Sequence, residues 1–244
     1  MRLIQLPSKN YQSPYKNDIY DGVTKIFAFG KLQFTLWLLP KNINQDETIV
    51  DYGCGFGYWL LTLMKYFRNV IGVDFNPIIC DKDQSSLVFS DQRFWNKNYF
   101  NQELFKVTRE LVFKTHQKEI TLITEKTENI PFSNQSVFLF TLFDVLEHIK
   151  NRPHFIKQLH DKLKPNGYLV YTVPNTTGPN FFIRTILGKI LNKEEDPNTL
   201  DHKNYHWKRD LSLLEPHFKI QRVIGFPFFI THISPSIIVK CQKI

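Results

Sequence analysis

Thr48-Ile49-Val50-Asp51-Tyr52-Gly53-Cys54-Gly55-Phe56-Gly57-Tyr58-Trp59-Leu60-Leu61 is the stretch from which the rest of this chain can be read. Ile49 and Val50 are β-branched and suit a buried central strand. Gly53, Gly55 and Gly57 then alternate, so the backbone can turn sharply and a ligand can approach without interference from Cβ atoms. The apolar and aromatic residues from Trp59 to Phe67 predict one helix packed on a sheet. A helix N-terminus facing a glycine loop suits an anion or the polar tail of a cofactor.

The glycine spacing excludes the dinucleotide fingerprint Gly-x-Gly-x-x-Gly/Ala, whose last small residue lets helix and strand pack closely. Counted from Gly53 that position is Tyr58, and counted from Gly55 it is Leu60. Asp51 lies two residues before the first glycine instead, where a carboxylate beside a helix N-terminus can hold an ammonium group. Acid-x-Gly-x-Gly-x-Gly resembles motif I of the class I S-adenosylmethionine-dependent methyltransferases. The alternative is a chance glycine turn in another α/β protein.

Later segments follow in the order that this resemblance requires. Asn69-Val70-Ile71-Gly72-Val73-Asp74 predicts a second buried strand ending in an acid. An acid ~20 residues beyond the glycine turn bonds the ribose hydroxyls in nucleotide-binding α/β folds. Glu128-Asn129-Ile130-Pro131-Phe132 resembles the family's loop before strand four. Asp144-Val145-Leu146-Glu147-His148-Ile149, after the apolar run Val137–Phe143, resembles the Val-Leu-Glu-His signature of many small-molecule methyltransferases. Leu163-Lys164-Pro165-Asn166-Gly167-Tyr168-Leu169-Val170 resembles their Leu-Lys-Pro-Gly-Gly turn into strand five. The likeness spans residues 45–243, with a narrower one to ubiquinone-pathway O-methyltransferases.

The resemblance implies an α/β fold: a Rossmann-like, mostly parallel seven-stranded sheet with an antiparallel last strand and helices on both faces. It implies S-adenosyl-L-methionine as cofactor. Asp51 would take the methionine ammonium, Gly53, Gly55 and Gly57 would shape the loop, and Asp74 would take the ribose. Phe75 would lie against the adenine, the Thr127 amide would reach the ring, and the backbone near Phe143 would pass under the methionine part. One position departs from the pattern: Lys126 stands where relatives often carry an aspartate that accepts the adenine amine. Lysine cannot accept that bond, whereas Glu125 can if the register shifts by one.

Composition is ordinary for a globular domain, with 42% hydrophobic and 22% charged residues over 244 positions, enough for one well-buried α/β domain. The formal net charge of +8 fits an acidic partner, RNA or an anionic membrane, or a lysine- and asparagine-rich genome bias. Cys54, Cys80 and Cys241 show no metal spacing and form an odd set, which points to a reducing compartment. Cys54 reads as a small packing residue inside the loop rather than a nucleophile. No secretory leader is expected, and no run reaches the ~18 apolar residues of a spanning helix. The expected location is cytoplasmic, with peripheral membrane contact open.

Residues 1–44 read as a polar arm followed by a cap helix over Tyr20–Leu39, which either covers the cofactor or caps the core. Residues 45–244 read as the methyltransferase domain. An insertion at about 80–119 has aromatic and basic residues at 91–100, which either stack on an acceptor or staple the insertion to the core. Gln102–Gln117 predicts a helix with Leu104, Phe105, Val107 and Leu111 facing inward. The acceptor-side segment, about 176–215, includes the basic, apolar stretch 181–193, which reads as an interfacial membrane helix or a lid.

The expected chemistry is transfer of a methyl group to a small or lipid-like acceptor at oxygen. The cofactor is already activated, so the protein mainly aligns donor and acceptor and excludes water. His148 is the candidate base for a hydroxyl acceptor, or else a structural helix-start histidine; His202 and His206 are further candidates. No metal-ligand cluster is present in the pattern. An RNA methyltransferase is the second enzyme reading, although no Asn-Pro-Pro-Tyr-type motif occurs and nucleic acid is not the expected partner. A catalytically degenerate binding scaffold is the third.

Overall fold

The computed structural model describes residues 22–55, 57–75, 102–116, 119–125, 129–179 and 205–244. In chain order they form α1 (Gly22–Leu38), β1 (Thr48–Tyr52), α2 (Tyr58–Tyr66), β2 (Asn69–Phe75), α3 (Gln102–His116), β3 (Thr121–Glu125), β4 (Val137–Phe143), α4 (Arg152–Lys162), β5 (Leu163–Pro174), α5 (Trp207–Leu214), β6 (Phe218–Phe226) and β7 (Ser236–Lys243). The strands make one seven-stranded sheet in the order β3-β2-β1-β4-β5-β7-β6. β1 to β5 run parallel, and β7 is antiparallel to both of its neighbours, β5 and β6.

Strand alternation divides the core into two layers. Ile49, Leu139 and Val170 face α1, α2 and α3, packing with Leu36, Leu39, Trp59, Leu60, Leu63, Leu111 and Val112. Val50, Phe140 and Tyr171 face the other way, onto Phe155, Ile156 and Leu159 of α4 and Trp207 and Leu214 of α5. The expected sheet with helices on both faces is therefore observed. Asn151 caps α4 by accepting from the His154 amide at 3.3 Å, and Pro153 sits in the first turn, where its missing N–H costs nothing.

Several expected boundaries shift. β5 begins at Leu163, not Tyr168, because Leu163 already pairs with Val137 before a register irregularity and a left-handed Asn166. The expected turn is absorbed into the strand as a bulge. His148 ends a short 3₁₀ turn, Leu146–His148, and α4 starts only at Arg152, so His148 is not a helix-start residue. Leu111 of α3 is buried as expected; the side chains of Leu104, Phe105 and Val107 lie outside the described residues. So do the arm 1–18, residues 91–100 and 181–193, and Lys126, Thr127 and His202.

Candidate active site

The glycine loop folds over the carboxyl end of β2. The Gly53 and Cys54 amides both donate to the Val73 carbonyl, at 2.8 and 3.0 Å, and the Gly57 amide donates to the Cys54 carbonyl at 2.8 Å. Gly53, Gly55 and Gly57 all adopt left-handed backbone, at φ 77°, 50° and 72°. Their surroundings differ. A Cβ on Gly53 would meet Val145 at 2.3 Å, and one on Gly57 would meet Thr108 at 2.4 Å. A Cβ on Gly55 would meet nothing within 4 Å among the described residues. Two glycines are thus closed in by protein, and the middle one has no such described neighbour. Gly57 caps α2 without a side-chain hydrogen bond, so the loop leads into a helix N-terminus.

Two carboxylates flank this loop. Asp51 is buried, and the pairing of β1 with β4 sets it opposite Thr141. The Thr141 hydroxyl donates to Asp51 Oδ1 at 2.7 Å. Burial pushes the Asp51 carboxyl up to about 8; the Thr141 bond opposes this and the nearby Asp74 charge adds to it. Asp74, also buried, accepts from the Gly55 amide and thereby ties the end of β2 to the open part of the loop. Cys54 is a buried thiol pushed up by burial, which agrees with packing rather than nucleophilic use.

The C-terminal end of β4 forms the next wall. The half-buried Phe143 meets the Trp59 ring edge-on, with centroids 5.1 Å apart. Asp144 follows in left-handed backbone (φ 55°). Its carboxylate accepts from Thr172 at 2.9 Å and forms a short ion pair with Lys31 of α1. Burial raises the Asp144 pKa, but Lys31, with help from Thr172 and His148, outweighs it and leaves the group below the usual carboxylate range. His148 is half-buried on the same turn. The structure therefore brings Asp51, the three glycines, Asp74, Phe143 and His148 to one end of the sheet. The backbone of Phe75 ends β2 beside Glu125, and its side chain is outside the described residues.

Sequence reasoning missed four contributors. Lys31 and Asp144 join the cap helix to the site, and Thr141 supports Asp51. Glu147 is the fourth: both its carboxyl oxygens are buried without a hydrogen bond, and burial, with a further push from Asp144, holds the group well above the usual carboxylate range. Only Asp144 and Glu147 had a signal, as part of the quoted Asp-Val-Leu-Glu-His segment. Beyond them Asp210 is fully buried, accepts from the Tyr205 hydroxyl and pairs with Arg152 at 3.3 Å; burial pushes it up to about 6. Asn175, at the end of β5, accepts from Trp207 Nε1 at 3.2 Å and donates to the Thr231 and Ser234 carbonyls. It locks the chain leaving β5 to the β6–β7 turn. His206 Nδ1 is buried without a hydrogen bond.

A family model described as a methyltransferase domain matches residues 26–221. The chain belongs to this methyltransferase family. Its fold is shared with solved members. A SAM-dependent methyltransferase from Aquifex aeolicus is 15% identical, with 95% of this chain and 94% of that one covered, at a TM-score of 0.55. Magnesium protoporphyrin IX methyltransferase from Synechocystis, solved with SAH, is 18% identical, with 94% and 93% covered, at a TM-score of 0.59. A geranyl diphosphate methyltransferase solved with GPP and sinefungin is 13% identical, with 100% and 88% covered, at a TM-score of 0.60. Comparison with curated protein sequences finds no match.

Proposed function

We propose that this methyltransferase uses S-adenosylmethionine to methylate a small or lipid-like acceptor at oxygen. The observation that carries the cofactor assignment is the pair of buried carboxylates, Asp51 and Asp74, on either side of a left-handed glycine loop whose middle residue has no side-chain clash among the described residues. The fit is chemical as well as steric. Asp51 is costly to ionise while its hydrogen-bond partner is the neutral Thr141 hydroxyl, and an ammonium group beside it would restore the charged form. Asp74 holds the loop amide with one oxygen, and in this reading its carboxylate takes the ribose hydroxyls.

When bound, the cofactor supplies a methyl group on a positively charged sulfur. In this reading Asp51 anchors the ammonium, Gly55 allows close approach, Phe75 and the Thr127 amide serve the adenine, and Phe143 borders the methionine part. His148 is the group assigned to take the proton from a hydroxyl acceptor. The geranyl diphosphate methyltransferase and magnesium protoporphyrin IX methyltransferase that share this fold support a small or lipid-like acceptor as a class. Among the described residues no helix is long and apolar enough to cross a membrane, so access to a lipid would be from a surface.

The test is calorimetric titration of S-adenosylhomocysteine into the wild type, Asp51→Asn and Asp74→Asn, followed by a screen of catechols and quinols with His148→Gln. Micromolar binding by the wild type, weakened at least tenfold in both variants, is expected. A well-folded wild type that does not bind would overturn the cofactor assignment. Binding without turnover on any hydroxyl acceptor, combined with turnover on amines, would move the methylated atom from oxygen to nitrogen.

A further inference from the structure

Three acids gather where the chain leaves the carboxyl ends of β4 and β5, and only two of them have a cation. Asp144 is paired with Lys31, and Asp210 with Arg152 at 3.3 Å. Glu147 has no such partner among the described residues, and both its carboxyl oxygens are buried without a hydrogen bond. A buried carboxylate is costly unless a cation and hydrogen bonds accompany it. Glu147 is also within electrostatic reach of the other two acids. Burial and then the Asp144 charge push its carboxyl up, Lys31 opposes them, and Asp210 adds a further push upward.

The groups around Glu147 come from the acceptor side of the sheet. Tyr205 is buried, donates its hydroxyl to Asp210, and its carbonyl accepts from the Thr176 hydroxyl just beyond β5. Burial, then Asp210, then Glu147 push the Tyr205 phenol up, so Tyr205 lies within reach of both acids. Tyr171, on the β5 face that packs on α4 and α5, is fully buried, and its hydroxyl has no hydrogen bond among the described residues. Burial, followed by Cys241 and Asp210, raises that phenol too. Asp210 Oδ1 faces Arg152 but likewise lacks a hydrogen bond. Buried polar atoms without partners are rare in native proteins, and four in one region call for a partner from outside the chain.

Charge specifies that partner. Lys31 and Arg152 are each engaged by another acid, so what Glu147 lacks is one positive charge. A neutral ligand would leave the carboxylate uncompensated, and an anion would add to the repulsion among the acids. We propose that Glu147 is the specificity residue of the acceptor site and takes an ammonium or amidinium group that the acceptor carries beside the hydroxyl to be methylated. The inference rests on the methyl-transfer reading and narrows its acceptor to cationic molecules. It also favours the hydroxyl as nucleophile, since a nitrogen held as ammonium has no free electron pair with which to attack the methyl group. Glu147 and His148 share one short turn, which sets this subsite beside the group assigned as base.

The experiment uses the full chain and three catechols of similar shape: dopamine, which carries an ammonium, the neutral propylcatechol and the anionic dihydrocaffeate. Each is titrated calorimetrically at neutral pH into protein saturated with S-adenosylhomocysteine, for the wild type, Glu147→Gln and Glu147→Asp. The wild type is expected to bind dopamine at least about tenfold more tightly than propylcatechol, and dihydrocaffeate most weakly. Glu147→Gln is expected to bring dopamine down to the affinity of propylcatechol and to leave propylcatechol unchanged. Glu147→Asp keeps the charge and is expected to keep part of the preference. A merely structural role would move all three compounds alike and would overturn the proposal. S-adenosylhomocysteine is titrated first. A folded wild type that fails to bind it would overturn the methyl-transfer reading and this inference with it, whereas binding without any preference for dopamine would overturn this inference alone. So would a preference that survives Glu147→Gln. Loss of S-adenosylmethionine affinity in that variant, with S-adenosylhomocysteine affinity unchanged, would place the carboxylate at the donor's sulfur instead and overturn the acceptor assignment.

Discussion

Lys31 and Asp144 stand 113 residues apart in sequence and form a short ion pair at the rim of the candidate site. This pair ties α1 to that end of the sheet. Leu36 of the same helix and Leu39 just after it are buried against the sheet, so the C-terminal end is packed while the middle of the helix, at Lys31, is held by charge. Asp144 also accepts from Thr172, which places β4, β5 and α1 on one carboxylate.

Replacing Lys31 with Met should therefore affect function more than stability. The Asp144 side chain is partly exposed, and exposed pairs contribute at most about 1 kcal/mol. Urea denaturation should show a loss within that range, while S-adenosylhomocysteine affinity or turnover falls severalfold as the cap loosens. The Asp144 pKa is lowered, so its stabilisation is present above the unfolded value near 4 and disappears as pH falls through the folded value. The destabilising effect of Lys31→Met should shrink at pH 3. A pH-independent effect would assign Lys31 a packing role instead.

With Asp51 holding the cofactor's ammonium group, as proposed, cofactor binding should depend on protons. Its carboxyl sits up at about 8 in the free protein, chiefly through burial. An arriving ammonium requires the ionised form, so binding at pH 7 should release about one proton, and affinity should rise about tenfold per pH unit from pH 5 towards 8. Calorimetry in two buffers of different ionisation enthalpy measures the proton directly. Asp51→Asn should abolish the release and weaken binding at least tenfold, while stabilising the free protein at neutral pH. Proton release that persists in Asp51→Asn would show that another group supplies it.

The loop glycines should separate folding from binding. Gly53→Ala adds a methyl into Val145 at 2.3 Å and also strains a left-handed backbone, and should cost roughly 2–4 kcal/mol of stability. Gly55→Ala meets no atom within 4 Å among the described residues, so the backbone cost of about 1 kcal/mol dominates. Its methyl group would project into the space assigned to the ligand. Thermal melts should rank Gly53→Ala far below Gly55→Ala, while titration shows binding lost in Gly55→Ala. If Gly55→Ala bound as tightly as the wild type, the ligand would have to lie elsewhere.

How much of this was legible beforehand follows from distance along the chain. Asp51, the glycines and Asp74 could be read because a strand, a turn and an acid at a fixed spacing are local chemistry. The sheet followed because Ile49, Val50, Val70, Ile71 and Val73 are short apolar runs between turn signals. Lys31 could not be placed, since nothing in residues 22–38 announces a partner beyond residue 140 and the apolar residues there lack a clean helical period. The start of β5 was misplaced because Pro165-Asn166-Gly167 signals a turn, and a bulge satisfies that signal within a strand. Glu147 was read as motif rather than as a buried acid, because burial of its oxygens depends on elements distant in sequence.

Glu147 gives a prediction about pH that runs opposite to that for Asp144. Both its oxygens are buried without hydrogen bonds, and burial, followed by the Asp144 charge, raises its pKa well above the usual value. A raised carboxyl pKa means that the folded state holds its proton more tightly than the unfolded chain. The group costs nothing below the unfolded value near 4 and destabilises progressively as pH rises from there towards the folded value. Glu147→Gln keeps the shape and removes the titration. At pH 4 the variant should match the wild type or fall slightly below it, since a buried amide also lacks partners. By pH 8 it should be the more stable of the two. Denaturant melts across pH 4–8 measure the gap, and two parallel curves would show that Glu147 is hydrated or paired in solution. An ammonium-bearing acceptor should narrow the gap by pairing with the wild-type carboxylate, so adding such amines to the same melts tests whether this buried acid also faces the acceptor.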